Sequence, residues 1–430
     1  MDTIFAVSSG APPAAIAVLR LSGSRAFEAA ESLAGTLPEP RRAGLRALHH
    51  PESAELLDRA LVLTFPGPNS ASGEDLVELH LHGGRAVLRA VEEALAGIHG
   101  LRAAEPGEFT RRALINGRLD LSEAEGLGDL LMAETEAQRR MAVRAAEGGI
   151  RRQIEAWTRE LLNLAALVEA QLDHSDEDDV AESGGSVTHI RASAAALARQ
   201  IADITARPPV ERLRDGLRVV LAGPPNAGKS TLFNVLAERE AAIVSAIAGT
   251  TRDRIEAPVV RGGIAWLLID TAGLAEATAD PIEAIGIGRA RAALEEADIL
   301  LWLGDDPPPP HAAVLWLQPR ADLPERARGA TGDRVGVSAR TGEGIDALWA
   351  RLESLARDLL PPADQLALNR RQRELATDAA AALHRVALQQ DLLLVAEEFR
   401  SARRSFDAIT GRVDVEAMLD ALFSRFCIGK

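Results

Sequence analysis

Apolar positions along the chain fall into three rhythms, and each predicts a different kind of structure. Near the N-terminus they recur every second residue, in Thr3-Ile-Phe-Ala-Val7, Ala15-Ile-Ala-Val-Leu-Arg-Leu21, Ala60-Leu-Val-Leu-Thr-Phe65 and Asp75-Leu-Val-Glu-Leu-His-Leu-His82. Period two predicts strands, and in the last run it sets Glu78 and His80 on one face. Ser22-Gly-Ser24 offers an N-cap to a helix beginning at Arg25, and residues 86–96 read as a second helix. Residues 1–118 are therefore expected to form a mixed α/β domain. Two polar stretches inside it, Phe65–Glu74 and Pro106–Arg112 continuing to Asp120, read as surface loops.

From 119 to 212 the spacing changes to three and four: Leu127, Leu130, Leu131, Ile154, Trp157, Leu161, Leu164, Ala165 and Val168. That is helical. The acidic run 173–179 interrupts it. Carboxylates there could hold a hard cation, but the run lacks the glycine and spacing of a calcium loop, so a solvated connection is expected. A further helix over 189–206 ends at Pro208-Pro209. Residues 213–361 return to short apolar runs, at 218–222, 264–269, 299–303, 314–317 and 335–337, alternating with helical stretches. This predicts an α/β unit with a mainly parallel sheet. After Pro361-Pro362, residues 362–430 are helical again. Helices before and after an inserted unit predict one discontinuous helical domain.

Composition narrows this outline. Apolar residues make up 47% of the 430, enough for substantial cores, with no run long enough to cross a membrane. The start, Met1-Asp-Thr-Ile-Phe, is unlike a signal peptide, and a single cysteine, Cys427, allows neither an intrachain disulfide nor a Cys-based zinc cluster. A cytoplasmic protein is expected. The net charge of −15 argues against a nonspecific basic coat for nucleic acid, though not against a local patch. Arginine pairs at 111–112, 139–140, 151–152 and 403–404 are candidates, each read first as a solvated face. Of 48 basic residues only Lys229 and Lys430 are lysine. A chain that uses arginine almost everywhere keeps lysine where a compact ammonium is needed. Lys430 is either such a case or chance retention at the terminus.

For Lys229 the reason is legible. Gly223-Pro-Pro-Asn-Ala-Gly-Lys-Ser230 sits between an apolar run and Thr231-Leu-Phe-Asn-Val-Leu236, the order strand, glycine loop, helix. This is the phosphate-binding P-loop pattern: backbone N–H groups cradle phosphates, lysine reaches the outer ones, and the Ser230 hydroxyl ligates Mg²⁺. Downstream, Ala248-Gly-Thr-Thr-Arg-Asp253 supplies a switch threonine, Thr251, for Mg²⁺. Asp270-Thr-Ala-Gly273 supplies a carboxylate for the Mg²⁺ water shell and the Gly273 N–H for the last phosphate. The order and spacing point to a GTPase. Leu274 stands where many GTPases place glutamine to orient water, leaving Glu276, Asp280 and Glu283 as candidates. The guanine-reading Asn-Lys-x-Asp is reduced to Pro319-Arg-Ala-Asp322. Asp322 can still accept from the guanine N1–H and N2–H, while the missing asparagine leaves an ATPase open. Ser338-Ala-Arg340 fits the last base-contact loop.

Taken with Arg20-Leu-Ser-Gly23, Phe65–Ser70, Gly73–Leu79, Pro106–Phe109 and the terminal Phe426-Cys-Ile-Gly-Lys430, the chain resembles the TrmE/MnmE family of bacterial tRNA modification GTPases. The resemblance implies a multidomain α/β plus α fold: an N-terminal folate-binding and dimerisation domain, a discontinuous helical domain, and an inserted Ras-like P-loop GTPase domain. It implies a homodimer and a flavoprotein partner, MnmG (GidA), in a heterotetramer. Together they would add a carboxymethylaminomethyl or aminomethyl group to C5 of the wobble uridine, U34, of tRNA. Carried onto this chain, the 5-formyltetrahydrofolate ligands are Arg20, Glu78, Arg118 (commonly lysine in the family) and Lys430, with Cys427 in the modification chemistry. The resemblance also implies K⁺ activation through dimerised G domains, with ligands Asn226, Ser245, Ile247 and Thr250. Among the three acids it selects Glu283 to position the attacking water.

The implied GTP site then comprises Asn226, Ala227, Gly228, Lys229, Ser230 and Thr231; Ser245, Ala246, Ile247, Ala248, Gly249, Thr250 and Thr251; Asp270, Thr271, Ala272 and Gly273; Asp322, Ser338, Ala339 and Arg340. The rival function is a regulatory or ribosome-assembly GTPase, a binding switch without folate chemistry, which would not need Arg20, Glu78, Arg118 or the tail.

Overall fold

The computed structural model describes residues 2–173, 187–240, 256–271, 292–327, 334–362, 365–412, 422, 423, 426 and 429. They form two compact units. One comprises residues 1–128, 145–156 and 406–430, the other 129–144 and 157–405.

The first unit is built on a six-stranded sheet of β1 (Thr3–Val7), β2 (Ile16–Ser22), β3 (Gly44–His49), β4 (Leu56–Phe65), β5 (Leu76–His82) and β6 (Leu101–Ala103), in the order β3-β4-β5-β2-β1-β6. All pairs are antiparallel except β1 with β6. The alternation in the sequence decides the faces. Leu19 and Leu21 of β2 and Val77, Leu79 and Leu81 of β5 point to a core closed by α1 (Ala26–Ala34) and α2 (Arg85–Ala96). Val18, Arg20, Glu78 and His80 therefore occupy the opposite face.

Two expectations fail in this unit. Helix α1 begins at Ala26 with no side-chain cap bond. Ser22 closes β2 instead, and its hydroxyl is engaged by Ser72 and Glu74. The stretch expected to continue a surface loop contains α3 (Glu108–Ile115), in which Glu108, Phe109, Thr110 and Arg112 are buried. Phe109 packs with Ile4, Ala6 and Ala104. Arg112, read as a solvated face, donates to Asp2, Glu74 and Glu108 at 2.9–3.0 Å, and Arg102 donates to Glu108 at 2.6 Å. Polar residues that satisfy each other inward leave no apolar period to read.

Helices α4 (Leu121–Met132), α5 (Glu136–Ala146), α6 (Gly149–Asp173) and α7 (Val187–Thr205) follow in the chain. In the second unit, α7 packs against α12 (Arg370–Leu388), which lies beyond the nucleotide-type domain in sequence and is followed by α13 (Leu392–Thr410). Helix α12 starts with a capping box. The Asn369 side chain accepts from the Gln372 N–H, and Gln372 accepts from the Asn369 N–H. Between these helices lies a second sheet of β7 (Leu217–Ala222), β8 (Glu256–Arg261), β9 (Ile264–Asp270), β10 (Ile299–Trp302), β11 (Val314–Pro319) and β12 (Val335–Val337). Its order is β12-β11-β10-β7-β9-β8, parallel but for β8, an antiparallel edge.

Short α8 (Glu211–Arg214) leads into β7, α9 (Lys229–Glu240) follows it, and α10 (Pro324–Ala327) and α11 (Ile345–Leu359) flank β12. The core holds Leu217, Val219, Leu221, Leu301, Leu317 and Trp349, with Trp266 edge-on to Trp349 at 5.6 Å. From β7 the chain goes on to β9 on one side and β10 on the other. Ligands in such sheets sit beyond the carboxyl ends of strands at that switch point.

Candidate functional site

The loop after β7 opens at that switch point. Gly223 has φ of 148°, and a Cβ there would lie 3.2 Å from the Gly304 nitrogen and the Leu303 carbonyl carbon. Only glycine lets β7 and β10 stay in register through Trp302 and Ala222 while the chain turns. Pro224 and Pro225 bring no N–H donors. Helix α9 then starts at Lys229 with its N-terminal end toward the loop. The Lys229 ammonium donates to the carbonyls of Gly223 at 2.9 Å and Pro224 at 3.0 Å. Ser230 and Thr231 are exposed in the first helical turn. At the end of β9, Asp270 and Thr271 are buried, and the Thr271 hydroxyl donates to the Leu221 carbonyl at 2.8 Å. The pairing Leu221↔Asp270 places that carboxylate one strand from the loop.

Beside the loop is a cavity of about 270 Å³. Ala227, Gly228 and Thr231 line its phosphate-loop end; Arg320, Asp322, Ser338, Ala339 and Arg340 line the other. The 338–343 turn closes on itself, with the Ser338 N–H donating to the Glu343 carbonyl and the Thr341 N–H to the Ser338 hydroxyl. Apolar walls come from Leu232, Leu303, Pro319, Leu323 and Val337. Pro319 belongs to the base-reading stretch, but sequence reasoning missed the other four as site residues, because Leu232, Leu303 and Val337 also carry the core pattern. Arg320 reaches across the mouth and donates to the Asn226 carbonyl at 3.0 Å. A carboxylate at one end and a P-loop ammonium near the other can receive a base with ring N–H donors and a polyphosphate.

A second cluster lies on the open face of the first sheet. Arg20 and Glu78 are cross-strand partners, with Arg20 Nε donating to Glu78 Oε1 at 2.8 Å. His80 Nε2 lies 3.3 Å from the other Glu78 oxygen. Both arms stay half-buried, and Leu61 and Leu63 of β4 pair across from His80 and Glu78. Arg118 is exposed in the turn after α3, beside Gly73 of the 65–74 loop. Near the C-terminus, Phe423 and Phe426 pack with Leu121, and the Ser8 hydroxyl donates to the Gly429 carbonyl at 2.7 Å. That seats Gly429 at the end of β1, whose Ala6 pairs with Arg20.

Ser245, Ala246, Ile247, Ala248, Gly249, Thr250, Thr251, Ala272, Gly273, Leu274, Glu276, Asp280, Glu283, Cys427 and Lys430 lie outside the described residues. So do most of the acidic run, and no cluster of metal-type ligands occurs among the described residues. Of the arginine pairs, Arg139 and Arg140 both bond Glu136, whose carboxyl these two partners hold down at about 2. Arg151 pairs with Glu155 and Arg404 with Glu397. No helix among the described residues is long and apolar enough to cross a membrane.

A mainly parallel sheet with a P-loop at its switch point and an acid-bearing base pocket beside it defines a P-loop nucleotide-binding protein. Residues 3–118 match the N-terminus of the GTP-binding protein TrmE, and residues 121–427 match the MnmE helical domain. The chain is 55% identical over 431 residues to the tRNA modification GTPase MnmE of Erythrobacter litoralis, and 52% identical over 436 residues to that of Novosphingobium aromaticivorans. Each alignment covers 100% of both chains. Among solved structures, the G domain of the T. maritima FeoB iron transporter is 24% identical, covering 33% of this chain and 98% of its own, with a TM-score of 0.23. The chain belongs to the MnmE family of tRNA modification GTPases, and it is a GTP-hydrolysing enzyme of tRNA modification.

Proposed function

We propose that this enzyme couples GTP hydrolysis in its nucleotide-binding domain to one-carbon transfer onto the wobble uridine, U34, of tRNA. The carrying observation is a cavity lined both by P-loop residues and by Asp322. In this reading guanine donates N1–H and N2–H to Asp322, the 338–340 turn faces its oxygen, and the phosphates lie along 226–231. Ser230 and Thr251 would hold Mg²⁺, with Asp270 on its water shell. The exposed hydroxyl of Ser230 and the Asp270 carboxylate are oxygen donors of the kind Mg²⁺ takes. The ion supplies charge neutralisation at the phosphates when bound. Asn226, Ser245, Ile247 and Thr250 would hold K⁺, and Glu283 would position the attacking water.

Arg20, Glu78, Arg118 and Lys430 would bind 5-formyltetrahydrofolate, with Cys427 in the modification chemistry. The half-buried Arg20–Glu78–His80 cluster and the seating of Gly429 on Ser8 support a site there. The proposed divisions are 1–118, 119–212, 213–361 and 362–430, in a cytoplasmic homodimer acting on tRNA with MnmG (GidA).

Two measurements test this. Asp322→Ala should weaken GTP about 10- to 100-fold, the size of charge-assisted hydrogen bonds, and leave ATP nearly unchanged. Equal GTP and ATP affinity in the natural chain would remove the guanine assignment. In equilibrium dialysis the natural chain should bind 5-formyltetrahydrofolate, and Glu78→Gln should lose about tenfold. Absence of binding by the natural chain would favour a GTPase switch without folate chemistry.

A further inference from the structure

The three described residues proposed to hold the one-carbon donor come from three segments, and a chain of polar contacts joins those segments. Arg20 lies in β2, Glu78 in β5, and Arg118 in the turn after α3. Ser22 follows Arg20 by two residues in β2 and so shares its open face. Ser22 is fully buried, and its hydroxyl donates to Glu74 Oε2 at 2.8 Å. With that one proton committed, the 2.6 Å bond between the Ser22 and Ser72 hydroxyls is donated by Ser72. The Ser72 carbonyl in turn accepts from Asn116 Nδ2 at 2.8 Å.

Gly73, next in the loop, has φ of 80°, and a Cβ there would stand 2.6 Å from Asn116 Cβ and 3.1 Å from Arg118 Cγ. Loop and turn therefore touch where only glycine fits. The turn is closed on its own helix by the Arg118 N–H, which donates to the Ala113 carbonyl at 2.8 Å. The Arg118 side chain is exposed and has no hydrogen bond or ion pair among the described residues. Its charge is placed by the backbone beneath it rather than by a partner. We infer that Asn116 is a positioning residue of the folate site proposed above, on which reading this rests. Its amide bond to Ser72 ties the 116–118 turn to the loop that leads into β5, and so fixes the base of Arg118 relative to the Arg20–Glu78 pair. An anionic ligand then meets a cation already held, and less ordering is left to be done on binding.

Equilibrium dialysis of 5-formyltetrahydrofolate on the full chain tests this in Asn116→Ala, Arg118→Ala and the double variant. Asn116 is exposed, so its replacement should leave the fold intact. Arg118→Ala should weaken binding about tenfold, the size of one charge-assisted bond. Asn116→Ala should weaken it about fivefold, the size of one neutral bond. Because Asn116 acts through Arg118, the double variant should fall within about twofold of Arg118→Ala alone. A double variant about fiftyfold weaker than the natural chain, the product of two independent losses, would overturn the inference, and so would natural affinity in Asn116→Ala. Without ligand, Asn116→Ala should speed amide hydrogen exchange in both 72–76 and 116–118, and unchanged exchange in either would overturn the tie between them. Absence of folate binding by the natural chain would remove the folate reading itself, with exchange still deciding whether Asn116 joins the two segments.

Discussion

Lys229→Ala is expected to lower kcat/KM for GTP by about 10³, and Lys229→Arg to recover little of it. The ammonium is almost fully buried under the loop, with two of its three donors on the Gly223 and Pro224 carbonyls. A phosphate approaching 226–231 meets a charge already aimed from below, and a preorganised charge needs little reorganisation as the transition state forms. Removing one such donor commonly slows catalysis 10²- to 10³-fold, about 3–4 kcal/mol, and here a full charge goes with it. Arginine keeps the charge but is a planar fork, and it cannot place one compact group between two carbonyls and a phosphate. The chain itself shows this preference, with lysine at only two of its 48 basic positions. Steady-state hydrolysis with fluorescent-GDP dissociation measures both variants. Near-natural turnover by Lys229→Arg would show that charge, rather than shape, is what the position requires.

The difference between what the sequence revealed and what it concealed follows from range. The P-loop was legible because its glycines, lysine and flanking strand lie within a few residues, and each has a local reason to be there. Strand β8 was not foreseen. Pro258 breaks its pattern, and proline is tolerated there because β8 is an edge strand paired only with β9. Helix α3 was mistaken for loop because its polar side chains turn inward onto partners from residues 2, 74 and 102. Asp322 could be picked out because an acid at that spacing is chemical information. Leu232, Leu303 and Val337 could not, since a pocket wall and a core position use the same residues. Arg320 was visible only as a departure from a motif. That it holds the Asn226 carbonyl, 94 residues earlier in sequence, is a consequence of the fold and has no local signature.

Arg112→Ala should destabilise the first unit by about 3 kcal/mol, because it removes a buried cation shared by three carboxylates and leaves the half-buried Glu74 without one. Arg112 is 5% exposed and meets Glu74, Glu108 and Asp2 together. Glu108 keeps Arg102, and Asp2 is partly open to water, but among the described residues no other cation is found beside Glu74, which also accepts from the Ser22 hydroxyl. The pH dependence follows from the same contacts. The Arg102 hydrogen bond holds the Asp2 carboxyl below its ordinary value. For Glu108 burial pushes upward, but bonds from Arg102, the Glu105 N–H and Arg112 outweigh it and the net shift is down. Carboxyls depressed by folding stabilise above their unfolded values, near 4, and that stabilisation is lost as pH falls through the lower folded values. The gap between natural and variant chains should therefore be widest near pH 7 and shrink below about pH 4, where protonated carboxyls no longer need a cation. All five tryptophans lie in the second unit, so their fluorescence does not report this change directly. Amide hydrogen exchange in β1, β2 and β5 reads it directly, and faster exchange confined to α3 would show that Arg112 holds only its own helix.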